Sequence, residues 1–274
     1  MIFADCHTHS YLSFDGSVDA TPDLMCQKAI SLGLTDIAIT DHADMNAGVM
    51  GYEIPDDDRM EKEILACKER YRGQLHVGYG IELGEPCEEP EAARALLEKH
   101  DFDFVLGSLH NLEGCVDFAY INFSDPDFGE KLTDHLFSRM LSETDRLADF
   151  PGIHSIAHLT YMERYLMKAG KKPVNKAPFE ERLRLFFKKL TEKQIALELN
   201  VSPISRGSGR FTMPDADLMR MYKEAGGELV TVGSDAHCPE HIGKGIKEGY
   251  RLLSDCGFRY VTVYRDGKAR QFPI

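Results

Sequence analysis

Ile2-Phe3-Ala4-Asp5-Cys6-His7-Thr8-His9 opens the chain with an apolar run that ends in an aspartate and two histidines. Side chains alternate along a strand, so Asp5, His7 and His9 would share one face, and Cys6 and Thr8 the other. The same kind of ending recurs downstream, in Ile39-Thr40-Asp41-His42, Gly80-Ile81-Glu82, Ser108-Leu109-His110, Ala157-His158 and Ser234-Asp235-Ala236-His237. Six apolar runs thus finish in histidine or carboxylate at their C-terminal ends. That is the end at which α/β barrels carry their active sites. A lone His-x-His is more often a satisfied structural pair, and a lone Asp-His at a strand end is often turn chemistry. Six such endings in one chain are not explained that way.

Working outward, the apolar runs predict strands over residues 2–5, 36–39, 75–82, 104–109, 155–158, 196–199, 229–233 and 258–263. Helical patterns lie between them. Thr21-Pro22-Asp23 reads as an N-cap with proline at the first helical position, and Gly33 closes that helix. Met60, Ile64, Cys67 and Tyr71 recur at helical spacing, and further helices are expected over 90–99, 128–147, 178–190, 214–225 and 242–256. Alternating strand and helix signals mean parallel strands with crossover helices. At 274 residues the expectation is one α/β barrel domain over 1–274, with residues 265–274 as a tail. The long segments 43–58 and 111–127 are expected as loops at the functional face.

Composition narrows the function. Apolar residues make up 43% of the chain, enough for a sizeable core. The formal net charge of −13 argues against a nucleic-acid or anionic-membrane surface. No signal-peptide pattern and no apolar run of the ~18 residues a membrane helix needs is visible, so a cytoplasmic protein is expected. The seven cysteines are scattered without a Cys-x-x-Cys pair, which suits reduced thiols better than disulfides or a thiolate zinc site. Imidazole and carboxylate suit zinc, manganese and iron ions. Bound ions would also let an acidic protein take a phosphorylated substrate.

Asp-Cys-His-Thr-His-Ser at 5–10, Thr-Asp-His at 40–42, Glu82, Ser-Leu-His at 108–110, Ala-His-Leu at 157–159 and Ser-Asp-Ala-His at 234–237 resemble the metal-ligand motifs of the PHP (polymerase and histidinol phosphatase) superfamily. Chain length and the form of His7 through Gly16 resemble its stand-alone histidinol-phosphatase branch. The resemblance implies a distorted (β/α)7 barrel with up to three divalent ions (Mn, Fe or Zn). His7, His9, Glu82 and Asp235 would hold the first; Glu82 would bridge to a second completed by His110 and His158; Asp15, His42 and His237 would hold a third. Asp5 and Asp41 would orient ligand imidazoles from behind.

The activity implied is hydrolysis of a small phosphomonoester by metal-activated hydroxide, with L-histidinol phosphate the favoured case. Asp235 or His237 would protonate the leaving alkoxide, and Glu82 would act through the ions it joins. Another small phosphoester or nucleotide, or a metal-binding domain without turnover, remain alternatives. Arg164 and Arg206 are the candidate phosphate clamps, with Arg210 a rival to the second. Glu113 and Asp117 are candidates to receive an amine. His76, His100, His135, His154 and His241 are read as structural or exposed.

Overall fold

The structure is a computed structural model that describes residues 3–46, 56–207, 209 and 211–274. Seven parallel strands run in the order in which they occur: β1 (Ala4–Thr8), β2 (Asp36–Asp44), β3 (His76–Gly84), β4 (Phe104–Ser108), β5 (Ser155–Ile156), β6 (Ala196–Asn200) and β7 (Val230–Gly233). The last returns to the first. Thr8 bridges Ala236 in parallel, Asp235 N donates to His7 O at 2.8 Å, and His9 N donates to Ala236 O at 2.7 Å. The sheet is thereby a nearly closed barrel, joined at its C-terminal rim. Nearly every strand residue is buried, as expected of parallel strands covered on both faces.

The outer layer consists of α1 (Pro22–Ser31), α2 (Asp57–Arg70), α3 (Pro90–Lys99), α4 (Glu130–Leu147), α5 (Tyr161–Lys168), α6 (Glu180–Lys193), the single turn α7 (Ser202–Ser205), α8 (Ala216–Glu224) and α9 (Ile246–Asp255). Their ends follow local chemistry. Thr21 caps α1 by accepting from Leu24 N, Pro22 follows it, and Gly33 takes φ +76° just beyond the end. Met60, Ile64 and Cys67 form the buried stripe of α2. None of the described helices is long and apolar enough to cross a membrane, and all seven cysteines are free.

Three expectations change. Strands β1, β2 and β3 run past the predicted limits, so that His7, Asp41 and His42 also lie within strands. α5, absent from the sequence reading, follows β5; at eight residues, with Met162 and Leu166 as its buried apolar pair, it offers little periodic signal. The predicted tail is a strand. Residues Lys268–Pro273 (β9) pair antiparallel with β8 (Tyr260–Arg265) across Asp266-Gly267, which take φ +51° and +69°. Asp-Gly at two positive-φ positions is a strong hairpin signal.

This hairpin lies outside the barrel sheet and covers the N-terminal mouth. Thr262 Oγ1 accepts from Val230 N at 3.2 Å, Tyr264 Oη donates to His154 O at 2.8 Å, and Arg265 Nη2 reaches Asp36 Oδ1 at 2.6 Å. Each partner sits at or just before the start of a barrel strand. With that end plugged, the C-terminal end is the one left to form a site.

Candidate metal centre

Glu82, near the end of β3, is the hub. Its Oε2 lies 3.3 Å from His7 Nε2, 3.5 Å from His9 Nε2 and 3.1 Å from His42 Nδ1. Its Oε1 lies 2.7 Å from His158 Nε2 and 3.3 Å from His110 Nε2. Burial pushes the Glu82 carboxyl up, but facing His7, His110 and His42 hold it well below the ordinary value, so it stays a carboxylate. Asp235, just past β7, places Oδ1 3.6 Å from His9 Nε2. Nearer the rim, Asp15 reaches His237 Nε2 at 2.9 Å and His42 Nε2 at 3.6 Å. All nine residues carried over as ligands are therefore drawn together, and several triads among them could hold an ion. Asp15 is the most exposed, at 42% of its side chain.

The imidazoles are held from behind. His7 Nδ1 lies 2.7 Å from Glu198 Oε1, His9 Nδ1 3.3 Å from Ser13 Oγ, His237 Nδ1 2.9 Å from the Asp235 carbonyl, and His110 Nδ1 3.4 Å from Asp44 Oδ1. A proton held on Nδ1 by such partners leaves the Nε2 lone pair free for a cation. His158 and Asp235 take φ +24° and +52°, conformations rare for residues with a Cβ. Each is pinned through its backbone, His158 N to Glu198 Oε2 at 2.7 Å and Asp235 N to His7 O at 2.8 Å.

Glu198 was missed in the sequence. It sits in β6 within Ala196-Leu197-Glu198-Leu199-Asn200, and the available signal was a charge inside an otherwise apolar buried run. Gly233 makes room for it: a Cβ there would come within 2.5 Å of Glu198 Oε1 and 2.3 Å of His7 Cβ. Asp44, in the segment expected as a loop, is the last residue of β2.

Asp5 and Asp41 differ from expectation. The carboxylate of Asp5 accepts from Ser234 N (2.8 Å), Ser234 Oγ (2.6 Å) and Gly243 N (2.8 Å), so it ties down the segment carrying Asp235. The β1–β2 register shifts between Asp5 and Thr8, so simple alternation does not hold along β1. Asp41 accepts from Ser10 Oγ at 2.7 Å and Ser13 Oγ at 2.8 Å, and stands one hydroxyl away from His9. Neither makes a hydrogen bond to an imidazole.

Arg164 and Arg206, the two candidate clamps among the described residues, border the cavity above Glu82. Arg164, on α5, lies over Tyr161 and Tyr165 with Nη1 3.5 Å from Asp235 Oδ2. Arg206, after α7, places Nη2 3.1 Å from Asp235 Oδ1 and 2.9 Å from His237 Nδ1. Arg210 lies outside the described residues. Of the remaining histidines, His100 bonds Asp57 and Glu61, His154 stacks on Tyr264, which itself stacks on Phe104, and His76 faces Asp36; none of the three borders the cavity.

The PHP domain model matches residues 5–202, the span that carries β1 through β6. A probable histidinol-phosphatase of Thermotoga maritima is 30% identical over 96% of this chain and 96% of its own length. One from Clostridium acetobutylicum is 28% identical over 95% and 96%. The crystal structure of histidinol phosphate phosphatase from Lactococcus lactis, complexed with zinc, L-histidinol and phosphate, superposes with a TM-score of 0.80 at 22% identity, covering 97% of this chain and 98% of that one, a likeness of fold. A family match across nearly all the strand ends that build the cluster, together with relatives similar from end to end, makes this chain a member of the PHP domain family.

Proposed function

We propose that the chain is a metal-dependent phosphomonoesterase that hydrolyses L-histidinol phosphate to L-histidinol and phosphate. The observation that carries the metal part is the Glu82 carboxylate, whose two oxygens face two different sets of imidazoles. The site fits cations on its own chemistry. His7 Nε2 and His9 Nε2 stand 3.0 Å apart while both Nδ1 atoms have partners behind them. Two inward nitrogens at that separation need a proton or a metal ion between them, and a metal ion would accept both lone pairs. Glu82 Oε2 is buried without a hydrogen bond among the described residues, although three imidazole nitrogens surround it.

On this reading His7, His9, Glu82 and Asp235 would hold one ion, Glu82, His110 and His158 a second, and Asp15, His42 and His237 a third. Divalent Zn, Mn or Fe there would offset phosphoryl charge and supply an acidified water for in-line attack. The protein's own groups do the rest. Arg164 and Arg206 converge beside Asp235 and would grip the phosphoryl oxygens with charge-assisted donors. Attack breaks the phosphorus–oxygen bond to the alcohol, and the departing alkoxide takes up a proton. Asp235, at Oδ2, or His237, at Nε2, would deliver it once relieved of metal contact. The choice of L-histidinol phosphate is supported by the relatives, each of which matches 95% or more of the chain.

Metal-replete protein should show its highest kcat/KM on L-histidinol phosphate within a panel of sugar, nucleoside and aryl monophosphates. Equal turnover across the panel would remove the substrate assignment, and no turnover the enzyme assignment. Arg164→Ala and Arg206→Ala should each lose a contact worth ~1.5–3 kcal/mol, or roughly one to two powers of ten in kcat/KM. The loss should be alike on L-histidinol phosphate and on p-nitrophenyl phosphate, which present the same phosphoryl group. Unchanged kinetics in both, with Arg210→Ala impaired, would move the clamp to Arg210.

A further inference from the structure

Glu85, the residue just past β3, is buried. Its Oε1 accepts from His110 N at 2.5 Å and from Asn111 N at 3.4 Å, and its own N–H donates to Ser108 O at 3.2 Å. The backbone takes φ +47°, in the same left-handed region as His158 and Asp235. Side chain and main chain together lock the end of β3 to the end of β4, where His110 emerges.

Taking a carboxyl group out of water is unfavourable, so its placement calls for a reason. Glu85 does not border the cavity above Glu82 and therefore touches nothing bound there. What it does touch is the main chain of a candidate ligand. At the ring of the same residue, Asp44 Oδ1 lies 3.4 Å from His110 Nδ1. Ligand-type atoms of Asp44, Glu85 and His110 fall within 4.8 Å of one another, so His110 is held on two sides. Gly84 leaves room for this: a Cβ there would come within 2.1 Å of Asp44 Oδ1.

The neighbouring imidazole is held alike. His158 N donates to Glu198 Oε2 at 2.7 Å. Each of the two imidazoles facing Glu82 Oε1 thus has its backbone N–H fixed by a buried glutamate. Two imidazoles on the other side of Glu82 have different partners. His9 N donates to the Ala236 carbonyl, and His42 N to Ser13 Oγ.

We infer that Glu85 is a positioning residue for the second ion, holding His110 through its backbone so that His110 Nε2 stays beside Glu82 Oε1. The inference rests on the polynuclear reading above. Loss of an outer partner of this kind lowers metal affinity by about 10–100-fold.

The test is graded chelator competition on zinc-loaded protein, with the zinc retained per chain read by elemental analysis. Glu85→Ala should release one equivalent at roughly 10–100-fold lower chelator concentration, while the others leave as in wild type. Glu85→Gln keeps an oxygen for His110 N and should stay within about threefold of wild type. In a His110→Ala background, Glu85→Ala should change nothing further, because the residue acts through His110. If Glu85→Ala does not fold, Glu85→Asp takes its place, since it is one carbon shorter and draws the oxygen away from His110 N. Unchanged release in that variant overturns the inference. So do equal weakening of every equivalent, a glutamine variant as weak as alanine, and a further loss in the His110→Ala background. All four leave the polynuclear centre standing. Wild type that holds one equivalent or fewer overturns the parent reading and this inference together.

Discussion

Glu82→Gln should cost the protein metal at two positions at once and lower kcat on any phosphomonoester by on the order of a thousandfold or more. The reasoning starts from the two oxygens, one facing His7, His9 and His42 and the other His110 and His158. Glutamine has nearly the same shape and should leave the barrel folded. Its amide presents one neutral oxygen and one NH2, so one set of imidazoles loses its anion and faces hydrogens. Removal of a group that merely supports a ligand already costs 10–100-fold. A ligand shared by two ions should cost more, because both affinities fall. Metal content after gel filtration and kcat at saturating metal are the measurements. A variant with full metal and full rate would show that Glu82 does not bridge.

Glu198→Ala should weaken metal binding although Glu198 is not itself a proposed ligand. One oxygen holds His7 Nδ1 and the other holds the backbone of His158 at its positive-φ turn. These residues belong to two different proposed ions, so a loss of about 10–100-fold in affinity is expected at each. Competition titration with a chelator reads this directly, and excess metal should restore much of the rate. Glu198→Gln should fall between alanine and wild type, because one amide oxygen can serve one of the two donors but not both. A purely structural role would lower the melting temperature of the metal-free protein and leave chelator competition unchanged. That outcome would remove Glu198 from the centre.

Most of the cluster was legible because its residues interrupt apolar runs at one end. His7, His9, His42, Glu82, His110, His158, Asp235 and His237 all sit where a hydrophobic strand turns polar, and strand geometry does the rest. Glu198 escaped because nothing polar marks its strand until Asn200; it looks like an interruption of the core rather than the end of a strand. Asp5 falls out of simple alternation with His7 and His9 because β1 shifts register between Asp5 and Thr8. The C-terminal plug was legible in Asp266-Gly267, yet a hairpin that covers a barrel end leaves no periodic trace of what it covers.

The most direct measurement is elemental analysis of the purified protein after reconstitution with Zn, Mn or Fe and removal of loosely held ions. Zinc commonly takes four ligands, and the nine candidate residues, Glu82 among them, exceed what one ion can use. The expected result is more than one and up to about three equivalents per chain, with phosphatase activity lost on chelation and regained on re-addition. One equivalent or fewer, with full activity on phosphomonoesters, would contradict a polynuclear centre built on Glu82.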